Sequence, residues 1–363
     1  MCRDTELAVG ASMLAVASAG LATAGTGDAP PTLQPNRVGC HIGAGLIAAD
    51  VNELGAALVT SKKEDGTFDL AHWGSEGMQN LTPLWLLKYL PNMLACHITI
   101  VHDCQGPSNA ITCCEAASAL SIAESRRVIQ RGDADACLSG GAEDRVNPLA
   151  LYRQHCTGRL ADSDGSGDMS SLVQPFSEHA TGTVIGEGGG IMIVESAVSC
   201  EARGGSPWCT IDGIGCRQSF ADSPLDADPQ AIASAITRAL EESDSTIDEI
   251  DVIVPLGSGI RQVDSAERDG LHTIFKDRLD SIPTITTIPY TGNCMAGNSG
   301  ISIGIAAKVL REQKLPARLG AEQTPGIDAG TCDATDMNIR NILCITAGEG
   351  GQCVAIVLGR ISS

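Results

Sequence analysis

Short apolar and β-branched runs alternate along the chain with longer runs whose apolar residues recur at helical spacing. This is the rhythm of an α/β domain with a largely parallel sheet. Residues 37–43 read as a strand entering a Gly turn. Residues 116–131 hold apolar positions at helical spacing with small residues along one face, which predicts a helix deep in the core. Gly132-Asp133-Ala134-Asp135 stops it, and 136–138 reads as a strand closing on Ser139-Gly140-Gly141. Residues 184–195 repeat the strand signature around Gly188-Gly189-Gly190, where another backbone must approach closely. A Gly/Pro-containing connection at 197–208 follows, and the pattern restarts. It predicts strands at 209–214 and 251–255, helices at 229–242 and 265–279, a helix at 301–313 opened by a Gly-rich turn, and a strand pair over 342–358. The shared rhythm predicts two similar halves, 1–198 and 207–363.

The Ala/Gly-rich run 7–24 has the length of a signal-peptide core and ends on Ala22-Thr23-Ala24. Arg3, Asp4 and Glu6 ahead of it carry the wrong charge for such a signal, so it is read as a buried helix. No unbroken apolar run reaches the roughly 18 residues of a membrane span. Aromatic residues are only 3% of the chain, so the core is to be built from Ala, Val, Ile, Leu and Cys. Lys+Arg minus Asp+Glu is 24 − 44 = −20, which excludes a nucleic-acid or anionic-membrane surface. The 15 cysteines are scattered without a C-x-x-C pair, and no His pair stands at zinc-ligand spacing. A reduced, cytoplasmic chain using Cys as a small hydrophobe is expected, with no metal and no cofactor.

Gly106-Pro107-Ser108, the turn at 113–118, and Gly132-Asp133-Ala134-Asp135 through Gly140-Gly141-Ala142-Glu143 resemble the first half of β-ketoacyl-acyl-carrier-protein synthases, members of the thiolase-like condensing enzymes. Further matches follow in order: Gly186-Glu187-Gly188-Gly189-Gly190, Gly257 with Asp264-Ser265-Ala266-Glu267, Thr291-Gly292 through Gly297-Asn298-Ser299-Gly300, and Gly348-Glu349-Gly350-Gly351. The resemblance spans about residues 37–360 and implies a thiolase-like five-layered αβαβα fold from two similar halves, usually dimeric. It also implies an N-terminal half lacking its first strand, because the first helix resembles one inside the family's domain.

The departures bear on function. The family's nucleophilic Cys stands nine residues after the first Gly of the GPS motif and seventeen before the Gly of GDAD, and both counts land on Glu115. The two active-site His positions fall on Leu256 and Asn293, the usual Lys on Ile288, and the gating Phe of the final loop on Glu349. Condensation needs a thiolate to hold the acyl group and imidazoles to polarise the malonyl carbonyl, so ordinary condensing activity is not expected. Cys114 beside the corner points to the opposite face if the strand continues, and is read as packing. His155, His179 and His272 lie outside the family's catalytic positions.

Two readings of Glu115 stay open. It caps the helix or ion-pairs in a closed site, or it faces Glu349 across one pocket as an acid–base or cation-binding pair with one raised pKa. Asn293, Asn298 and Gly350 are candidates for substrate contact, while Asp264 and Glu267 are read as fixing a turn. The resemblance favours a non-condensing subunit like a chain-length factor, paired with a ketosynthase-type partner or with itself, that reaches acyl carrier protein through the partner. The alternatives are an enzyme with Glu115 and Glu349 acting on acyl thioesters by decarboxylation or hydrolysis, and a synthase using Cys114.

Overall fold

The computed structural model describes the chain except residues 164, 166–170, 221, 320–326, 329, 331, 362 and 363. In chain order its regular elements are α1 (Arg3–Ser18), β1 (Val38–Gly43), α2 (Val51–Thr60), α3 (Leu70–Ser75), α4 (Met93–His102), β2 (Ser108–Ile111), α5 (Ala117–Gln130), β3 (Ala136–Asp144), α6 (Pro148–Cys156), β4 (Glu187–Glu195) and α7 (Ala197–Ala202). Then come β5 (Thr210–Gln218), α8 (Pro229–Ser243), β6 (Val252–Val254), α9 (Arg261–Phe275), α10 (Ile288–Thr291), α11 (Asn298–Glu312), β7 (Lys314–Leu315), β8 (Thr335–Asp336), β9 (Asn341–Ala347) and β10 (Gln352–Gly359).

Two four-stranded sheets result, ordered β2-β1-β3-β4 and β5-β10-β9-β6. They repeat one plan. A parallel pair (β1/β3, β6/β9) is followed by an antiparallel neighbour (β4, β10). The outer side of β10 pairs with β5, whereas among the described residues β4 has no strand on that side.

Five layers stack because each sheet is apolar on both faces. Helices α1 and α4 cover one face of the first sheet through Ala8, Val16, Leu94 and Ile98. α5 and α11 lie between the sheets through Ala119, Ile122, Ile303 and Ala306, and α8 and α9 cover the outer face of the second. The paucity of aromatics is felt here, since small residues let backbones come close.

Several elements differ from the sequence pattern for local reasons. α1 ends at Ser18 and buries one face only (Asp4, Thr5, Ala8, Ser12, Val16), with Leu14 exposed, so it is an amphipathic covering helix rather than a buried one. β3 runs through Gly140 and Gly141 to Asp144, since these glycines admit the backbones of β4 and β1 instead of ending the strand. α9 is displaced toward the N-terminus relative to 265–279. It begins at Arg261, and the left-handed Lys276 (φ 50°) stops it. Residues 113–115 are not strand: β2 ends at Ile111 and Cys114–Ala116 is a 3-10 turn with Cys114 at φ 46°. The expectation that Cys114 alternates to an opposite strand face is therefore corrected; the thiol sits in the turn.

Gly43 ends β1 against the first turn of α5. A Cβ there would stand 2.6 Å from the Ala117 carbonyl carbon and the Ser118 nitrogen, both backbone atoms. Gly43→Ala is thus expected to push α5 outward and cost about 1–3 kcal/mol, read as a lower urea midpoint; an unchanged midpoint would show that the helix yields freely.

Candidate functional site

The C-terminal ends of β1, β2, β3 and β9 lead to the corner before α5, where the 293–297 turn and the 348–351 loop also meet. The turn Cys114–Ala116 brings Glu115 to the corner ahead of α5, where its side chain is 0% exposed. Its Oε1 takes hydrogen bonds from the Arg159 guanidinium Nη2 and from Asn293 Nδ2 at 3.1 Å, and its Oε2 takes one from the Glu349 backbone N–H at 3.0 Å. Ser299 Oγ donates to the Glu115 carbonyl at 2.7 Å, tying the corner to α11. Burial by itself would raise the Glu115 pKa. The Arg159 charge, the backbone N–H groups of Glu349 and Glu115, and the Asn293 amide outweigh it, and the net direction is down.

Arg159 is the residue that sequence reasoning missed. It follows α6 through Gly158, which turns the chain at φ 69°, and it is 1% exposed. Its Nη1 donates to the Pro224 carbonyl at 2.8 Å and lies 3.8 Å from Glu349 Oε2, while Nε has no partner. The guanidinium thus stands between the two carboxylates and ties the corner to the 348–351 loop and to Pro224. No spacing or motif marks it; the only signal is that a buried Glu needs a cation.

The Glu349 side chain is 24% exposed and keeps its carboxylate beside Arg159. Burial and the Glu115 charge push its pKa up, against Arg159 and Arg145. Deeper in the same cluster, Glu143 accepts from the Ala296 N–H at 2.8 Å and meets Arg145 Nη2 at 2.5 Å. Burial pushes the Glu143 carboxyl up to about 7. The Cys114 thiol is pushed up to about 12 by burial and by Glu115, Glu349 and Glu143, so it holds its proton at neutral pH.

Leu256 and Ile288 are buried in one apolar cluster with Val173, Ile260 and Val263. The loop carrying Leu256 is held by carboxylates: Glu267 accepts from the Leu256 and Gly257 N–H groups at 2.8 and 3.0 Å, and Asp264 from Phe176, Ser258 and Gly259. Asn293 joins the cluster, its Oδ1 accepting from Met295 N–H at 2.8 Å while its Nδ2 serves Glu115. Asn298 lies in the first turn of α11, buried with both amide atoms unpartnered, and Gly350 is on the exposed loop tip with its carbonyl accepting from Gln218. His155, His179 and His272 are exposed. Among the described residues no three His, Cys, Asp or Glu side chains group to hold a metal ion, and no helix is long and apolar enough to cross a membrane.

Comparison with known proteins adds the family. The model of the beta-ketoacyl synthase N-terminal domain matches residues 7–199, and that of the C-terminal domain matches 208–322. The chain belongs to the beta-ketoacyl synthase family. A curated relative of this ketosynthase-like chain is the actinorhodin polyketide putative beta-ketoacyl synthase 2 of Streptomyces coelicolor, 27% identical over 306 residues that cover 82% of this chain and 73% of that protein. The 3-oxoacyl-acyl-carrier-protein synthase 2 of Staphylococcus aureus is 24% identical over 298 residues, covering 80% and 73%. Among solved structures, the ishigamide ketosynthase/chain length factor aligns over all of this chain and 83% of its own, with TM-score 0.83 and 22% identity. A type II PKS acyl-carrier protein in complex with its ketosynthase aligns over 99% and 85%, with TM-score 0.83 and 21% identity. The fold is the thiolase-like one that the sequence resemblance implied.

Proposed function

We propose that this chain is a non-condensing subunit of a fatty-acid or polyketide-type synthase, which pairs with a catalytically complete ketosynthase and shapes the acyl pocket of the pair. One observation carries the reading: the Arg159 guanidinium is buried against Glu115 where condensation requires a free thiolate. Leu256 and Ile288 offer no proton or hydrogen-bond donor to a malonyl carbonyl, and both Asn293 amide atoms are engaged within the protein.

The neighbour named ketosynthase/chain length factor supports a partner of ketosynthase type, and the neighbour named as a complex with acyl-carrier protein supports a carrier in the same assembly. A chain of net charge −20 repels an acidic carrier, so carrier contact is assigned to the partner. A cytoplasmic setting goes with this role. The test is acyl transfer from radiolabelled acyl and malonyl thioesters to the purified chain, alone and with a co-expressed ketosynthase. No labelling or condensation by the chain alone, with product length altered in the pair, is expected; condensation by the chain alone refutes the proposal.

A second reading rests on Glu349, whose raised pKa and partial exposure suit an acid or base acting on an acyl thioester beside Glu115. Hydrolysis or decarboxylation lost in Glu349→Gln and in Glu115→Gln would favour it; turnover unaffected by both removes it.

A further inference from the structure

The two sheets share one plan and differ at one edge. β10 is paired on both sides, by β9 and by β5, and seven of its eight residues are buried. β4 holds the equivalent place in the first sheet, antiparallel to β3, and only Val194 of its nine residues is buried. The Arg145 N–H donates to the Gly186 carbonyl and the Ser196 N–H to the Asp135 carbonyl, so the even-numbered residues face β3. Glu187, Gly189, Ile191, Ile193 and Glu195 therefore turn their backbone N–H and C=O groups outward, where they have no partner among the described residues.

Helix α1 is incompletely covered in the matching place. Ala8, Ser12 and Val16 of α1 and Ile232, Ile236 and Leu240 of α8 are the buried i, i+4, i+8 rows of the helices that precede β1 and β6. In α8 the adjacent row Ala231, Ala235, Ala239 is buried too, because β5 lies on it. Cβ atoms on Gly215 and Gly213 would overlap the carbonyl oxygens of Ala235 and Ala239. The adjacent row of α1 is Leu7, Ala11 and Ala15, all only half-buried. The same two alanines are present, with no strand on them among the described residues.

An edge strand is ordinarily blunted by charge, proline or a bulge. Between Glu187 and Glu195, β4 reads Gly-Gly-Gly-Ile-Met-Ile-Val, and its register with β3 is continuous. The two glutamates at its ends are neutralised by Arg3 and Arg203. Every described strand of this chain already has a place in a sheet. The β4 of a second copy would bring Ile191 and Ile193 to the side of α1, where β5 presents Gly213 and Gly215 to α8.

We propose that the outer edge of β4 is a β-augmentation site for an extended segment of another polypeptide, added antiparallel to β4. The segment carries glycine or alanine at alternate positions toward α1 and apolar side chains toward the layer of α5 and α11. The backbone groups supply the hydrogen bonds and the alternation supplies selectivity. β5 is the pattern for it: Gly213 and Gly215 face α8, while Ile214 and Cys216 join the apolar cluster of α5 and α11. This edge is open whether or not the Glu115 corner condenses.

The test is amide hydrogen exchange of the full chain with a synthetic peptide of the β5 sequence, Thr210–Gln218 carrying Cys216→Ser. In the chain alone, the amides of Gly189, Ile191 and Ile193 are expected to exchange faster than those of Gly190 and Met192. Saturating peptide is expected to slow the first three roughly tenfold or more. The same peptide N-methylated at every amide is expected not to bind. Ile191→Pro removes an N–H that faces away from β3, and is expected to keep the wild-type circular dichroism and lose the peptide. Ala11→Arg/Ala15→Arg on α1 leaves the β4 backbone untouched and is expected to weaken the peptide about tenfold or more. Absent protection by the peptide, equal binding of the N-methylated peptide, or unchanged binding by the α1 variant overturns the proposal. Protection of Gly189, Ile191 and Ile193 in the chain alone that falls on dilution assigns the edge to a second copy and overturns it as well.

Discussion

Arg159→Ala is expected to destabilise the protein by about 3–5 kcal/mol. The substitution leaves the Glu115 carboxylate fully buried with only Asn293 and the Glu349 N–H as donors, and it empties the space of a guanidinium. Removing one member of a buried ion pair is costly because the other charge stays desolvated, whereas removing both together can be nearly neutral. The double variant Arg159→Met/Glu115→Gln is therefore expected to recover most of the loss, and urea denaturation of all four combinations would read the coupling. A loss below about 1 kcal/mol in the single variant would mean that water or a shifted loop solvates Glu115, and that the corner is more open than the Arg159 contacts indicate.

The second large effect is on pH. Burial pushes the carboxyls of Asp4, Glu143 and Glu267 up to about 6, about 7 and about 8. In the unfolded chain such groups titrate near pH 4 to 4.5. Between those values the folded protein holds protons that the unfolded chain has released, so the stability these groups contribute is complete below about pH 4 and is lost as pH rises through 6 to 8. Glu115 has the opposite sign: its pKa is held down, so its contribution is present at neutral pH and lost on acidification. The unfolding free energy from urea titration is expected to be higher at pH 6 than at pH 8.5, by an amount on the order of a few kcal/mol, with a correspondingly higher midpoint. Glu267→Gln puts a neutral isostere in place of the carboxyl that holds its proton at pH 6, so it should change stability little there and should flatten the slope above pH 6. A midpoint equal or higher at pH 8.5 would contradict the assignment of Asp4, Glu143 and Glu267 as raised.

The two predictions draw on different parts of the molecule. Glu115 and Arg159 form a buried ion pair at the corner ahead of α5, and their mutual neutralisation is what the non-condensing reading proposed above requires. Asp264 and Glu267, both within α9, hold the loop at 256–259 by accepting backbone N–H groups, the turn-fixing role that the family resemblance implied. Both arrangements bury carboxylates, but only the first includes a cation, and the pKa directions differ accordingly.

The linear chain determined the order of strands and helices, the two similar halves of the fold and, through motif spacing, the proposal that Glu115, Leu256, Asn293 and Glu349 take the positions of the family's reactive groups. Those features are legible because periodicity and motif spacing are local, and a counted interval survives divergence of everything around it. Only the tertiary structure decided that Arg159 crosses from the end of α6 to Glu115, and that Leu256 and Ile288 share one apolar cluster with Val173. It also decided that, among the described residues, β4 lacks on its outer side the strand that β10 has in β5. A pair separated by 44 residues has no period to betray it. Its partner is chosen by which charge a buried carboxylate can reach once the layers have packed, and that choice exists only in three dimensions.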